Sequence, residues 1–392
     1  MENKPKRKPN ILVRFLLFLL ACAIALVCVS AILFRNQMNM DALKRWFTYR
    51  ALTLSDSGQA ESFHYSGSSS DVFADLDGDL LVCTGNAISL YSGSGTQYVN
   101  HQVTMKAPAV AVSGDTAVVY DAGGSALCVL RQRSVVYELT CSGSLLSAHL
   151  NGSGLLTVVS QESGYRGVVT VYDRSGKLRA SLRLSSAYIM DAVLADDGTT
   201  LSVVTIGQEN GTFCSSLDVY DLSRVAAGDV NYEVSPRSST SLGSSVILAL
   251  RESNSLVCAL GDYALTVLGL DGNVRGTVDW SDRYLKSFSL DGSGFAVAQL
   301  GKYRAGSQSS LYVIDASGGL VGTLELEEQV LSLSAAGNYF AVLTADRLDI
   351  YTGDMTLFSS LSGTQGARKV VLRDDGTAML ISDRAANLYV PS

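Results

Sequence analysis

The sequence is poor in histidine, in charge and in catalytic motifs, and each shortage removes a class of function. Three histidines (His64, His101 and His149) are scattered over 392 residues, and neither HExxH nor GxSxG occurs, so zinc sites and serine hydrolases lose their usual support. Charged residues make up 17% of the chain and hydrophobic residues 47%, a balance that excludes a disordered chain. Paired catalytic carboxylates are not apparent. We therefore predict no catalytic residues and no cofactor.

Cysteine is also scarce, and its pattern does not suggest a disulfide framework. Cys22 and Cys28 fall in an apolar run, and five cysteines remain in the rest of the chain, with no CxxC among them. Several stand inside apolar strand-like segments, as in Leu81-Val82-Cys83, where a thiol behaves as a small buried hydrophobe. We expect these cysteines to be neither paired nor metal-bound.

Positive charge is confined to one end of the chain. Residues 1–50 carry nine Lys and Arg against two acids, whereas the remainder carries twenty-one against thirty-five. A nucleic-acid-binding protein would need its positive charge on the folded domain. The distribution therefore predicts no nucleic-acid partner.

The long hydrophobic run is the one strong targeting signal. Phe15 to Phe34 contains twenty residues without a charge, enough for a helix to cross a bilayer. With the dense basic tail before it, this run predicts an uncleaved transmembrane helix with the N-terminus in the cytoplasm. The alternatives are a cleaved signal peptide ending at Val29-Ser30-Ala31 and a lipoprotein signal at Cys22.

These features predict four segments: a cytoplasmic tail over residues 1–10, a transmembrane helix over 11–34, a stalk over 35–59 and a folded domain over 60–392 on the extracytoplasmic side of the cell membrane. Asp41 to Leu52 mixes large apolar and basic residues, which is typical of a short helix at the membrane interface. A plain helical stalk is the alternative.

A repeat fills the rest of the chain. The stretch LDGSGFAVAQL, from Leu290 to Leu300, combines a tight turn with an apolar strand, and near-copies of it recur along the sequence. The turn residue just before the second strand of each copy is glycine in all but one case: Gly78, Gly114, Gly154, Gly198, Asn254, Gly294, Gly337 and Gly376. Their spacing of 36 to 56 residues suits a four-stranded propeller blade. We predict an all-β protein, an eight-bladed β-propeller of four-stranded antiparallel blades, with seven blades as the alternative.

The strands of such a blade run A, B, C and D outward from the axis. The last repeat stops after its third strand, Asn387 to Pro391, and so lacks a fourth. Glu61 to Tyr65 is a spare strand-like segment ahead of the first blade. We predict that residues 60–66 close the ring by supplying the missing strand, because closure removes two exposed sheet edges.

The chain resembles an uncharacterised family of bacterial, mostly Gram-positive proteins with a basic tail, one transmembrane helix and a propeller. The likeness lies in the tail and anchor, in Phe63-His64-Tyr65, in Val72 to Leu76, in Ala367 to Val370 and in Leu388 to Pro391. The resemblance implies a membrane-anchored propeller. It does not bring an activity with it. The architecture is similar, more distantly, to quinoprotein-type propellers, but with two tryptophans the chain lacks the docking pattern of that class.

One acidic stretch is a candidate metal-binding loop. Asp75 to Asp79 resembles the start of a calcium loop. Its Asp-Gly pair recurs at the same turn in several repeats, for instance at Asp197 and Asp375, so turn formation accounts for it. We predict no metal site.

Functional candidates fall on one face of the propeller and in its channel. The B to C and D to A connections share a face, because strand direction alternates; we call it the long-loop face, since its loops are long in blades three, four and six. Its candidate interface residues are Tyr165, Arg166, Phe213, Trp280, Arg283, Tyr284, Tyr303 and Arg304. Trp, Tyr and Arg anchor many protein interfaces, although ordinary solvated loops are the alternative.

Three charged residues occupy inner-strand positions where most repeats place small or apolar residues: Asp191, Lys286 and Lys369. A polar channel lining would explain them, and so would a ligand site. The sequence thus predicts an interaction scaffold for a protein or envelope partner, with a small-ligand sensor or enzyme at the channel mouth as the alternative.

Overall fold

The computed structural model describes residues 17–18, 40–50, 52–209, 211–224, 229–232 and 235–391. The chain divides into two compact units, of which the second begins at residue 51. In the first unit, helix α1 (Met40–Tyr49) overlaps the predicted interfacial helix and exposes Trp46 and Phe47. The predicted transmembrane run lies outside the described residues, apart from Leu17 and Phe18. Among the residues described, no helix has the length and apolarity needed to cross a bilayer.

The second unit contains eight four-stranded blades, which confirms the predicted eight-bladed propeller and makes the seven-bladed alternative wrong. The strands of the first four blades, from inner to outer, are as follows. Blade 1 has β2 (Val72–Leu76), β3 (Asp79–Cys83), β4 (Ala87–Tyr91) and β5 (Gln97–Gln102). Blade 2 has β6 (Pro108–Ser113), β7 (Thr116–Asp121), β8 (Ala126–Arg131) and β9 (Ser134–Thr140). Blade 3 has β10 (Ser144–Leu150), β11 (Leu156–Gln161), β12 (Gly167–Tyr172) and β13 (Leu178–Leu184). Blade 4 has β14 (Tyr188–Leu194), β15 (Thr200–Glu209), β16 (Thr212–Asp221) and β18 (Ser238–Ser241).

The other four blades follow the same order. Blade 5 has β19 (Ile247–Ser253), β20 (Leu256–Gly261), β21 (Ala264–Gly269) and β22 (Val274–Asp279). Blade 6 has β23 (Tyr284–Gly292), β24 (Phe295–Gly301), β25 (Ser309–Asp315) and β26 (Leu320–Leu326). Blade 7 has β27 (Ser332–Ala336), β28 (Tyr339–Leu343), β29 (Arg347–Thr352) and β30 (Leu357–Ser362). Blade 8 has β31 (Lys369–Leu372), β32 (Ala378–Ile381), β33 (Ala385–Tyr389) and β1 (Phe63–His64).

The turn between the first two strands of each blade has the backbone that its sequence predicts. The eight anchor residues, including Asn254, all have a positive φ, between 53° and 85°. Side chains with a Cβ rarely adopt this conformation, and glycine and asparagine tolerate it best. The repeated glycine therefore marks a backbone requirement of the blade.

A strand from the N-terminal side of the propeller completes the last blade. Strand β1 pairs antiparallel with β33, placing Phe63 opposite Ala386, and the Val390 amide donates to the Gly58 carbonyl. The third strand of the last blade begins at Ala385, two residues earlier than the expected Asn387. It also ends before Pro391, whose nitrogen has no hydrogen to donate to a ladder.

Blade 4 differs from the others in the connection to its outer strand. A short 3-10 helix (Leu222–Arg224) leads towards β17 (Asp229–Tyr232), which pairs parallel to β13 of the neighbouring blade 3. This longer connection between β16 and β18 accounts for the interval of 56 residues between Gly198 and Asn254. It covers the outer edge of blade 3, which would otherwise be an exposed edge.

The hydrophobic core lies between adjacent blades. The second strands, such as β3, β24 and β28, are buried along their whole length, whereas outer strands such as β9 alternate between exposed and half-buried. A strand covered on both faces by neighbouring blades requires a nearly continuous apolar run, as these sequences have. The five cysteines of the propeller are all free thiols.

Candidate functional site

The long-loop face of blades 3 to 6 carries most of the exposed aromatic rings. Eight aromatic side chains of the described propeller are exposed, and six of them lie on this half-face: Tyr165, Tyr188, Phe213, Tyr263, Tyr284 and Tyr303. Phe213 and Tyr303 are the most open, each with 66% of its surface accessible. We call these six residues the aromatic arc. Aromatic residues at such density mark surfaces that bind partners.

Four tyrosines of the aromatic arc have a cation over the ring. The cation lies between 5.0 and 5.8 Å from the ring centroid in each pair: Arg183 over Tyr165, Arg166 over Tyr188, Arg304 over Tyr284 and Lys302 over Tyr303. Such contacts stabilise by roughly 0.5–1 kcal/mol at exposed sites. The rings are therefore partly ordered before any partner arrives, which reduces the entropy lost on binding.

The most prominent part of the arc is the β15–β16 hairpin. Both strands are ten residues long, yet β15 pairs with β14 only as far as Ile206, and β16 pairs with β18 only as far as Ser216. The end of the hairpin therefore extends beyond the rest of blade 4. It carries Phe213, which lies in strand β16 and not in a loop as predicted.

Trp280 is a correction to the predicted interface. Its side chain is 1% exposed, and its Nε1 donates a hydrogen bond to the Asp262 carbonyl at 3.0 Å. The indole packs in the core between blades 5 and 6, where a large apolar ring with a satisfied N–H is stable. Trp280 therefore cannot contact a partner in this structure.

Arg283 is half-buried and fixed within blade 6. Its Nη1 donates to Ser310 Oγ at 3.0 Å, and that hydroxyl in turn donates to the Glu325 carboxylate at 2.8 Å. The guanidinium also lies 5.6 Å from the Tyr312 ring centroid. These contacts order the start of β23 and so support the neighbouring Tyr284.

The same four blades share a β-bulge at the start of the inner strand. In blades 3, 4, 5 and 6 one residue of the inner strand is left without a partner in the ladder: Leu146, Met190, Leu248 and Lys286. The inner strands of blades 1, 2, 7 and 8 pair without such a shift. A bulge re-aims the side chain of the extra residue. Leu146 and Leu248 are 41% and 53% exposed as a result, beside the aromatic arc.

Asp191 lies on an inner strand as predicted, but it is buried and fully used. Its Oδ1 accepts hydrogen bonds from Ser147 Oγ at 2.6 Å, His149 Nε2 at 2.8 Å and its neighbour's amide, while Oδ2 accepts from the Leu250 amide at 3.1 Å. These partners belong to blades 3, 4 and 5. Asp191 therefore ties three blades together and is not a ligand group open to the channel.

Lys369 has a similar role at the seam where the ring closes. Its Nζ donates to the Asp71 carbonyl at 2.7 Å and lies 5.4 Å from the Phe73 ring centroid. Burial lowers the pKa of this ammonium. The contacts join blade 8 to the start of blade 1, so the structure places Lys369 in a structural contact.

Lys286 is the third channel candidate and the one that lines a cavity. A pocket of about 300 Å³ lies between blades 6 and 7, and both Lys286 and the interface candidate Arg304 line it. Sequence reasoning assigned these two residues to different sites. The bulge and the β24–β25 loop bring them together, and no periodic signal in the sequence marks the bulge.

A second pocket, of about 170 Å³, opens at the opposite end of the inner strands. It is lined by His149, Asp196, Arg251 and Glu252, among others. Burial, together with the negative charge of Asp196, raises the pKa of Glu252 to about 7. This carboxyl therefore changes its protonation near neutral pH.

The calcium-like stretch has its carboxylates directed to neighbouring blades. Asp75 accepts from Arg373 Nε at 2.9 Å and from the Gly78 amide at 3.2 Å, while Asp79 accepts from Arg133 Nε at 2.7 Å. These ion pairs link blade 1 with blades 8 and 2. The turn and the seams thus use carboxylate oxygens of Asp75 and Asp79, two of the three aspartates in the stretch.

Comparison with known proteins identifies a family and a fold. A family model described as "Family of unknown function (DUF5711)" matches residues 53–384, and no curated protein matches the sequence. Three solved structures illustrate the fold. The C-terminal WD40 domain of Sif2 aligns with a TM-score of 0.56 at 14% identity, covering 82% of this chain and 97% of that one. The Dos1 propeller gives 0.51 at 11%, covering 84% and 93%, and apo AztD from Citrobacter koseri gives 0.50 at 10%, covering 82% and 90%. At these identities the likeness shows a propeller fold and nothing more.

Proposed function

We propose a function from the geometry of the propeller, because the chain belongs to the DUF5711 family, a family of unknown function that brings no activity with it. The proposal is a protein-interaction scaffold: a rigid propeller, anchored to a bacterial cell membrane by one N-terminal helix, that presents the aromatic arc to a partner protein outside the cytoplasm.

The observation that carries the proposal is the concentration of exposed rings on half of one face. Six of the eight exposed aromatic side chains of the described propeller lie there, spread over four consecutive blades. Tyrosine and arginine are prominent among the residues that supply most of the binding energy at protein interfaces, and phenylalanine is enriched in interface cores. Ordered rings on a rigid scaffold lose little entropy on binding. This favours the interpretation of these loops as a protein interface over their interpretation as ordinary solvated loops.

The partner-binding test uses the two most exposed rings. Replacing both Phe213 and Tyr303 by Ser in the full-length chain should abolish recovery of the main partner after cross-linking in native membranes, because such central rings cost about 2 kcal/mol or more each when removed. Tyr98→Ser is the matched control: it removes a tyrosine that is 40% exposed and has Arg133 over its ring, but lies on an outer strand of blade 1. Equal recovery by the double variant and the control would exclude the aromatic arc.

Membrane anchoring and orientation are supported by the uncharged run Phe15 to Phe34 and by the basic tail that precedes it. Protease added to intact cells or protoplasts should therefore digest the propeller and spare a short fragment that contains the tail and helix. Protection of the propeller in intact cells, with digestion after lysis, would place it in the cytoplasm. A mature N-terminus near Ile32 would instead show that the run is a cleaved signal.

A further inference from the structure

The lining of the pocket between blades 6 and 7 has the opposite charge to the propeller as a whole. The pocket has a volume of about 300 Å³ on the long-loop face, and its lining residue Arg304 lies over the Tyr284 ring. Its lining contains two cations, no carboxylate, and several hydroxyl and amide side chains: Lys286, Ser287, Gln299, Arg304, Ser307, Gln329 and Ser332. The propeller beyond residue 50 carries thirty-five acids against twenty-one bases, so an acid-free pocket with two cations is a distinct feature.

The β-bulge at Lys286 directs this side chain into the pocket. Blades 3, 4 and 5 place Leu or Met at the same bulge, and blade 6 alone of these four places a cation. Lys286 Nζ donates to the Gly306 carbonyl at 2.6 Å, which fixes the ammonium against the β24–β25 loop. A Cβ at Gly301 would collide with the end of the Lys286 side chain, so the glycine leaves room for it to pass.

Both cations keep donors for a ligand. An ammonium has three N–H groups and a guanidinium five. Neither Lys286 nor Arg304 forms an ion pair within the described residues. The Arg304 guanidinium stands over the Tyr284 ring, which holds it at the rim. Two cations without a carboxylate partner on one pocket match the charge of an oxyanion.

The uncharged lining combines polar side chains with Val330, Leu331 and Leu333, which suits a ligand that has both hydroxyl groups and apolar carbon surface. Gln299 is buried and already occupied, since its Oε1 accepts from Ser287 Oγ at 2.6 Å and its Nε2 donates to Ser309 Oγ at 2.9 Å. Ser307 and Gln329 add further donors and acceptors around the opening. The volume lies at the lower end of the range for small-molecule sites.

We propose that this pocket binds the oxyanion, carboxylate or phosphate, of a small hydroxylated molecule such as a sugar acid or a sugar phosphate. Lys286 and Arg304 bind the anionic group, and Ser307 and Gln329 bind the hydroxyls. This inference stands apart from the proposed scaffold function, since the pocket can hold a small anion whether or not the aromatic arc binds a protein.

The binding test is a calorimetric titration of the full-length chain with glucuronate, glucose 6-phosphate and glucose. At least one of the two anionic sugars should bind, and glucose should bind at least about tenfold more weakly, because losing one charge-assisted contact costs about 1.4 kcal/mol or more. The two anionic sugars distinguish a carboxylate from a phosphate ligand. Glucose binding as tightly as both, or no binding of either anionic sugar, would overturn the proposal.

Variants separate a built site from general charge attraction. Lys286→Met and Arg304→Gln should each weaken binding of the anionic sugar about tenfold. Gly301→Ala should also weaken it, although it keeps both charges, because the lysine must move. The control Lys106→Met removes one exposed charge on the same face at the junction of blades 1 and 2, and should leave the affinity unchanged. Thermal midpoints check that each variant folds.

An equal loss of affinity in Lys106→Met and Lys286→Met would show that only net charge matters, and would contradict a built site. The Phe213 and Tyr303 double variant should keep full anion binding. This result separates the pocket from the aromatic arc, so that either proposal can fail without the other.

Discussion

At the scale of single residues, Asp191 has the largest predicted structural role. Replacing it by Ala removes the acceptor for Ser147, His149 and the Leu250 amide at once, and so deprives one buried and two half-buried donors of their partner between three blades. Each unpaired buried donor costs about 1–3 kcal/mol, so we expect the free energy of unfolding to fall by roughly 3 kcal/mol. The measurement is the thermal midpoint of the full-length chain.

Asp282→Ala serves as the control for this prediction. Asp282 is also an aspartate, but it is exposed on the connection between blades 5 and 6, and surface substitutions usually change stability by no more than about 0.5 kcal/mol. Equal midpoints for the two variants would contradict the role of Asp191 as a tie between blades.

The residue scale also shows what the sequence can and cannot predict. Asp191, Lys286 and Lys369 stand out in the sequence because their repeats normally carry small or apolar residues there. Their partners are not predictable, because His149 and Leu250 lie 42 and 59 residues away and meet Asp191 only after adjacent blades pack. Trp280 was misread for the same reason: a tryptophan in a polar connection looks exposed until the neighbouring blade covers it.

At the scale of elements, the turns were predictable and the irregularities were not. The anchor glycines can be predicted because the turn needs a positive φ at that residue, and this requirement is visible in the local sequence. The bulges of blades 3 to 6 depend on how two strands pair, and apolar pairs such as Leu145-Leu146 read equally well as a regular buried strand. The parallel pairing of β17 with β13 joins two blades and has no local signal.

These irregular elements coincide with the candidate sites. The bulges, the long hairpin of blade 4 and the aromatic arc all belong to blades 3 to 6. The regular repeat fixes the ring, whereas departures from it place exposed side chains on one half of one face. Departures from local rules are expected at functional sites, because regular structure alone does not need them.

At the scale of the whole molecule, the ring is held closed by a strand from the other end of the propeller. Phe63 packs at 5.9 Å from the Tyr91 ring, and the buried Tyr65 donates its hydroxyl hydrogen to the Ser382 carbonyl at 2.8 Å. Strand β1 thus joins blade 8 to blade 1 by side chains as well as by its backbone. Its loss would open a ring in which every blade is supported by two neighbours.

Deleting residues 57–66 should therefore lower the thermal midpoint of the full-length chain far more than shortening the exposed loop 302–308 of blade 6. The first deletion exposes the edge of β33 and separates two blades, so several buried backbone groups lose partners and the loss spreads around the ring. We expect a decrease of roughly 10 °C for it and only a few degrees for the loop, since about 1 kcal/mol corresponds to a shift of roughly 2 °C in a domain of this size. If the loop variant is the less stable of the two, the strand from the N-terminal side contributes little to closure, and the contacts between the inner strands of blades 8 and 1 hold the ring.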